Sequence, residues 1–174
     1  MQTRSTAFLL AQVGAHAASR FAARLSEMDL APPHAGILRA IARNPGLSQQ
    51  ALASLLGMLP SRLVAYIDEL EERRLLERHD NPQDRRLHSL QLTDRGSKAM
   101  TDLGRIAREH DDAICASLGE HEREQLWSLL GRIADDQGLT PGVHPGFAGV
   151  AANPGAARKA AAASDPEPKR RRRR

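Results

Sequence analysis

Two adjacent arginines, Arg85 and Arg86, follow Asn81-Pro82-Gln83-Asp84 and stand just before Leu90 and Leu92. Asn, Pro and Asp are turn formers, and leucines two apart give a short strand one buried face. The spacing therefore predicts an exposed turn tipped with two guanidinium groups, the side chain suited to phosphate and to the edges of bases. Thr93 then caps a new helix. A basic-tipped β-turn behind a helical array is how a winged DNA reader is built, so DNA binding is the leading expectation.

Bond-making chemistry finds no comparable foothold. The chain has no glycine-rich phosphate loop, no nucleophile motif and no paired carboxylates set for acid–base work, and no enzyme is expected. No two histidines have the spacing of a metal site, so neither metal nor cofactor is implied. The single cysteine, Cys115, excludes an intrachain disulfide and fits a reducing cytoplasm. Its charged neighbours are Asp111, Asp112 and Glu120, which oppose a thiolate, so inert packing is expected there. No apolar run approaches the roughly 18 residues of a membrane span, and no signal peptide opens the chain.

The formal charge of +4 is unevenly spread. Residues 1–139 carry 17 lysines and arginines against 19 acidic residues, while residues 140–174 carry 8 against 2. The high isoelectric point thus belongs to the end of the chain. DNA affinity in the body must come from local placement of arginines rather than from bulk charge.

The elements that position the arginines follow from periodicity. Leu9, Val13, Ala17, Phe21, Leu25 and Met28 form one stripe of a long first helix, broken at Ala31-Pro32-Pro33. Ile37, Leu38 and Ile41 mark a second helix ending at Asn44-Pro45-Gly46. Ser48 caps a short third carrying Leu52, Leu55 and Leu56, which Gly57 ends. Pro60 opens a fourth, held inward by Leu63, Ile67 and Leu70. Two such helices around a tight glycine turn are a helix-turn-helix. Strands at 76–78 and 88–92 would make it a winged one. Met100, Leu103, Ala107, His110 and Ile114 stripe a further helix of about 24 residues. Leu126, Leu129, Leu130 and Ile133 mark a last helix that stops at Gly138.

The expected fold is mainly α with a small antiparallel β wing, a winged helix-turn-helix reader plus a helical dimerisation region. Residues 1–139 form this domain, with dimerisation helices at about 5–29 and 94–137 and the DNA reader at about 33–93. The Gly-, Pro- and Ala-rich residues 140–174, ending in five arginines, are expected to be a disordered basic tail. The outer helices carry more apolar surface than a monomer of this size readily covers, so a homodimer is expected.

These residues resemble the MarR family of bacterial winged helix-turn-helix transcriptional regulators. The resemblance rests on Asp68-Glu69-Leu70-Glu71, Leu75, Arg78, Asp84-Arg85-Arg86, Leu90, Leu92, Thr93 and Gly96, within roughly residues 5 to 137. It implies a symmetric dimer joined by its helical ends, bound to double-stranded DNA at a palindromic operator and often released by a small molecule or by oxidation. It also implies that Asp84 supports the wing while Arg86 reads the groove. Two departures stand out. Arg74 takes the place of a common glycine after the reading helix, so it must adopt that backbone or lengthen the helix. Ala65 stands where an arginine is frequent, with Arg62 one turn earlier.

The start of the second reader helix enters the major groove in such folds. Here that start is Pro60, Ser61 and Arg62, followed by Ala65 and Tyr66. Arg62 can fork onto a guanine edge, and Ser61 can bond a phosphate or a base. Tyr66 reads equally as core packing or as DNA contact. Ser48 and Gln49 could hold a phosphate at a helix N-terminus, or Ser48 could simply cap it. Asp68, Glu69, Glu71 and Glu72 would repel phosphates, which limits the groove contact to the first two turns. His16, His34 and His110 fall on helices that should meet where the resemblance implies an effector site. Each reads first as a packed or half-exposed histidine. The reading is a cytoplasmic dimeric repressor released by a small anionic or aromatic effector. The rival is a low-specificity DNA-binding protein without an effector, its affinity supplied by the basic tail.

Arg86→Ala should weaken operator binding by about 1–3 kcal/mol and leave fold and assembly intact, because the turn contributes nothing to the core. Titration of labelled operator DNA at physiological salt measures this, and unchanged affinity would remove the wing as a reader.

Overall fold

The computed structural model describes residues 5–80, 88–144 and 147. Six helices run α1 (Thr6–Ser26), α2 (Pro32–Arg43), α3 (Gln49–Leu56), α4 (Pro60–Glu72), α5 (Asp94–Ile114) and α6 (Glu120–Asp136). Between α4 and α5, β1 (Leu76–Asp80) pairs antiparallel with β2 (His88–Leu92), with Leu76 opposite Leu92 and Asp80 opposite His88. The chain is thus mainly α with a two-stranded wing, as the periodicities required. The first strand runs two residues beyond the expected one.

One core holds the reader together. Ile37, Leu38 and Ile41 of α2 meet Leu52 and Leu56 of α3, Leu63, Ile67 and Leu70 of α4, and Leu76 and Leu90 of the wing, all nearly inaccessible to water. Leu55, assigned to the inner stripe of α3, is instead exposed and Ala53 is buried. An eight-residue helix has room for one narrow face, and the i, i+1, i+4 set of 52, 53 and 56 takes it. The segment before α3 also joins the sheet: Leu90 N–H donates to Leu47 O at 2.9 Å and Gly46 N–H to Leu90 O at 3.2 Å.

The outer helices behave differently. Leu25 alone is buried on α1, and α6 buries no residue. Phe8, Leu9 and Val13 on α1 and Trp127, Leu129 and Ile133 on α6 lie open, Trp127 at 79%. No single helix is long and apolar enough to cross a membrane.

Past residue 139 the described chain still lies against the body. Val143 N–H donates to Thr140 O, Val143 packs against the core, and Phe147 is 7% exposed. Val143 and Phe147 are the apolar side chains that these described residues place against the core.

Arg74 adopts the left-handed backbone, φ 56°, and does not lengthen α4. Arg74 N–H donates to Glu71 O at 2.8 Å and Leu75 N–H to Leu70 O at 2.9 Å, the paired bonds of a Schellman ending. Leu75 and Leu70 are both buried, which supplies the hydrophobic contact of that motif. Asp29 ends α1 in the same way at φ 54°, with Leu30 N–H bonded to Leu25 O. Arg74→Gly should therefore raise stability by about 1 kcal/mol, relieving the Cβ clash of a left-handed residue. Urea unfolding would register this as a higher midpoint at constant slope, and a lower midpoint would contradict it.

Candidate nucleic-acid interface

The reading end of α4 is built to be presented. Leu59 and Pro60 open the helix, with Pro60 at its first position, where no N–H is needed. Leu63, Ile67 and Leu70 fix the inner face. Ser61, Arg62 and Ala65 consequently project into solvent in one patch. Arg62 lies over Tyr66, its guanidinium carbon 5.9 Å from the ring centroid and Nη2 at 3.5 Å from the hydroxyl. Tyr66 packs by its half-buried ring, which meets the His34 ring edge-on at 5.3 Å, while its hydroxyl lies toward Arg62.

Three of the four carboxylates in the second half of α4, those of Asp68, Glu69 and Glu71, have partners. Arg78 on β1 bonds both Asp68 and Glu71. Glu69 Oε2 pairs with His34 Nε2 at 2.9 Å. Arg73, at the end of α4, donates to the carbonyls of Met28 and Asp29, the latter the left-handed cap of α1. Each tie runs to a different element, so α4 is held to the wing, to α2 and to α1 at once. Sequence reasoning saw only carboxylates that would repel phosphate. The spacing of Asp68 and Glu71, one turn apart with Arg78 on the next strand, was the available signal.

Ser48 is the N-cap of α3, its Oγ accepting from Ala51 N–H at 3.2 Å. Gln49 beside it is half-buried with its amide against Arg78, and in the amide orientation that satisfies both groups its oxygen accepts from Nη2 at 3.1 Å and Nε at 3.2 Å. Arg78 thereby joins the start of α3 to α4 as well. Asp84, Arg85 and Arg86 lie outside the described residues.

The three histidines separate. His16 is exposed on α1. His34 is committed to the fold, because Nδ1 accepts from Ala31 N–H at 3.1 Å at the start of α2 while Nε2 serves Glu69. That arrangement places the proton on Nε2. Both nitrogens of this ring, 6% exposed, are thus engaged within the fold. Burial lowers its pKa from the ordinary 6.5, outweighing the bond to Glu69, and Arg73 adds to the lowering. His110 stacks on Phe21 at 5.3 Å, with Nδ1 buried and without a hydrogen-bond partner among the described residues.

A groove opens between α1, α2 and α5, of about 370 Å³, walled by Ala18, Phe21, Ala35, Met100, Leu103 and Ala107. Arg39, His144 and Phe147 complete it. A shallower extension reaches His110 past Gly14 and Ala17. The face of α5 striped by Met100, Leu103 and Ala107 therefore borders this groove, and Gly96, Ala99, Leu103 and Ile106 make the buried one. Among the described residues no three His, Cys, Asp or Glu side chains converge as metal ligands.

A two-helix reader with a β wing and open outer helices defines a winged helix-turn-helix protein. Comparison with known proteins gives its family. A model of the MarR family matches residues 28–87. The structure of the transcriptional repressor CouR bound to a 23-mer DNA duplex is 32% identical, with a TM-score of 0.67, covering 75% of this chain and 92% of that one. The chain belongs to the MarR family. A Thauera aromatica protein named for transcriptional regulation of the hcr operon is 37% identical over 106 residues, 61% of this chain and 64% of its own length. The HTH-type transcriptional regulator BilQ of Clostridium symbiosum is 30% identical over 93 residues, 53% of this chain and 65% of its own. The chain thus spans just under two thirds of each of these two relatives. Wild-type Escherichia coli MarR in its apo form shares the fold at a TM-score of 0.69 and 19% identity, covering 76% of this chain and 98% of that one.

Because the folded pKa of His34 is lowered, the unfolded chain holds more protons than the native one between that value and 6.5. Stability therefore rises with pH through this window and is lost as pH falls below 6.5. His110, also lowered chiefly by burial, acts in the same direction. Unfolding midpoints from pH 7.5 down to 5 should fall in the native protein and fall less steeply in His34→Asn. Parallel slopes would deny His34 this role.

Proposed function

We propose that this chain is a dimeric, sequence-specific DNA-binding transcriptional regulator, a repressor released by a small anionic or aromatic effector. The observation that carries the reading is the division of α4. Its first two turns offer Ser61, Arg62 and Ala65 to solvent, while Asp68, Glu69 and Glu71 are drawn to Arg78 and His34. A helix so divided can lie in a major groove by its N-terminal end without bringing bare carboxylates to the phosphates. That CouR, a 32% identical relative, is bound to DNA in its structure supports the same use.

In this reading Arg62 reads base edges and Tyr66 steadies it. Ser61, with the amides at the head of α3 beside Ser48, holds phosphates, while Gln49 supports Arg78. Arg85 and Arg86 enter the minor groove from the wing, with Asp84 as their support. The open apolar faces of α1 and α6 meet a second copy, which sets two reading helices on a palindrome. The groove beside Phe21 and Met100 has the volume and apolar lining of a small-molecule site, with Arg39 as the cation for an acidic group. An effector bound there favours a protomer geometry whose reading helices no longer match the DNA, which requires that it prefer that geometry. The protein acts in the cytoplasm and carries out no catalysis.

Selection of bound genomic fragments should return sites with two inverted half-sites about one helical turn apart. On those sites Arg62→Ala should relax base preference within each half-site, rather than weaken all sequences equally. Uniform loss on operator and random DNA would make Arg62 a phosphate contact. A selection with no inverted repeat would argue against the dimeric reader.

A further inference from the structure

The groove between α1, α2 and α5 already holds an aromatic ring of the chain itself. After α6, the chain turns at Thr140 and lies back along α2. The Arg39 guanidinium donates to the Gly142 carbonyl, Val143 packs on the core, and Phe147 enters beside the His144 ring, 5.8 Å away. The seat exists because position 36 is glycine. A Cβ there would come within 2.6 Å of Phe147 Cε2 and 2.7 Å of Cζ. Phe147 is thus 7% exposed on a wall formed by α2, with about 370 Å³ still open around it.

We propose that Phe147 is a resident occupant of the effector groove, and that an aromatic carboxylate and the segment 139–147 compete for it. The inference rests on the groove being the effector site, as in the function proposed above. Competition operates at two points. The ligand's ring would take the apolar seat of Phe147, and its carboxylate would take the Arg39 guanidinium now given to the Gly142 carbonyl. A neutral carbonyl is the weaker partner for that cation. The segment is held by the Arg39 bond, by the turn bonds Leu139 N–H to Ala134 O, Val143 N–H to Thr140 O and Phe147 N–H to His144 O, and by two apolar side chains. Its described residues 139–144 form no α-helix or strand. Occupation by Phe147 lowers apparent ligand affinity by the fraction of molecules with an open groove. Ligand binding in turn frees the segment.

The test uses three full-length proteins, the native chain, Phe147→Ala and Gly36→Ala, with benzoate as probe. Calorimetric titration should show Phe147→Ala binding benzoate about tenfold more tightly than the native chain. Gly36→Ala favours the α2 helix while evicting the ring, so it separates eviction from any loss of folding in the first variant. Hydrogen exchange in residues 139–147 should be faster in Gly36→Ala without ligand, and should accelerate in the native chain when benzoate is added. Slower exchange on adding benzoate, or weaker binding by Phe147→Ala, would overturn the proposal and make Phe147 a wall on which the ligand stacks. Absence of benzoate binding in all three would overturn it as well. Benzoate that displaces the segment yet leaves operator binding unchanged would uphold the occupant and defeat effector release.

Discussion

The carbonyl of Leu75 is the point on which the geometry of the reader turns. It lies one residue past the left-handed Arg74, where α4 has ended and β1 is about to begin. Thr93 N–H reaches it at 3.3 Å from the far end of β2, and Thr93 Oγ1 reaches the neighbouring carbonyl of Arg74 at 2.6 Å. The same Oγ1 caps α5 by accepting from Gly96 N–H at 3.0 Å. Gly96 then passes so close that a Cβ would stand 1.9 Å from the Leu75 oxygen. Three elements converge on two adjacent carbonyls, and any side chain at position 96 would force them apart. The direction of the reading helix relative to the long α5 is therefore set by backbone, which does not repack.

Around that fixed point, Arg78 acts as a second organiser. One guanidinium serves Asp68, Glu71 and Gln49, on two helices and across from its own strand. The planar five-donor fork makes this possible, where a lysine would satisfy one partner at a time. The energy of each partly exposed pair is modest. With the Glu69–His34 and Arg73 bonds, their combined effect is orientation: α4 cannot roll without breaking ties to β1, to α2 and to the turn after α1 together.

The elements were legible in the sequence because each is announced by local chemistry. Ser48 and Thr93 cap α3 and α5 where the pattern put them, and Leu63, Ile67 and Leu70 face inward at helical spacing. What could not be read depends on residues far apart in the chain. Phe147 meets Gly36 across more than a hundred residues, and nothing in a glycine- and proline-rich stretch announces that a single ring will find a seat. His34 reads as a packed histidine from the sequence, but its partners, one local and one on α4, follow only from the fold. Arg74 shows the limit of propensity: the turn is required by the junction with Thr93 and Gly96, so an arginine accepts a glycine's backbone.

The apolar faces of α1 and α6 have a consequence in mass action. A 17-residue helix with no buried residue in its own chain draws little stability from the protomer. If two copies pair through these faces as proposed, apparent stability climbs with total protein, since only the folded form associates. The number of paired molecules would then scale with the square of protomer concentration while dimers are scarce. Small changes in synthesis would become larger changes in the paired form.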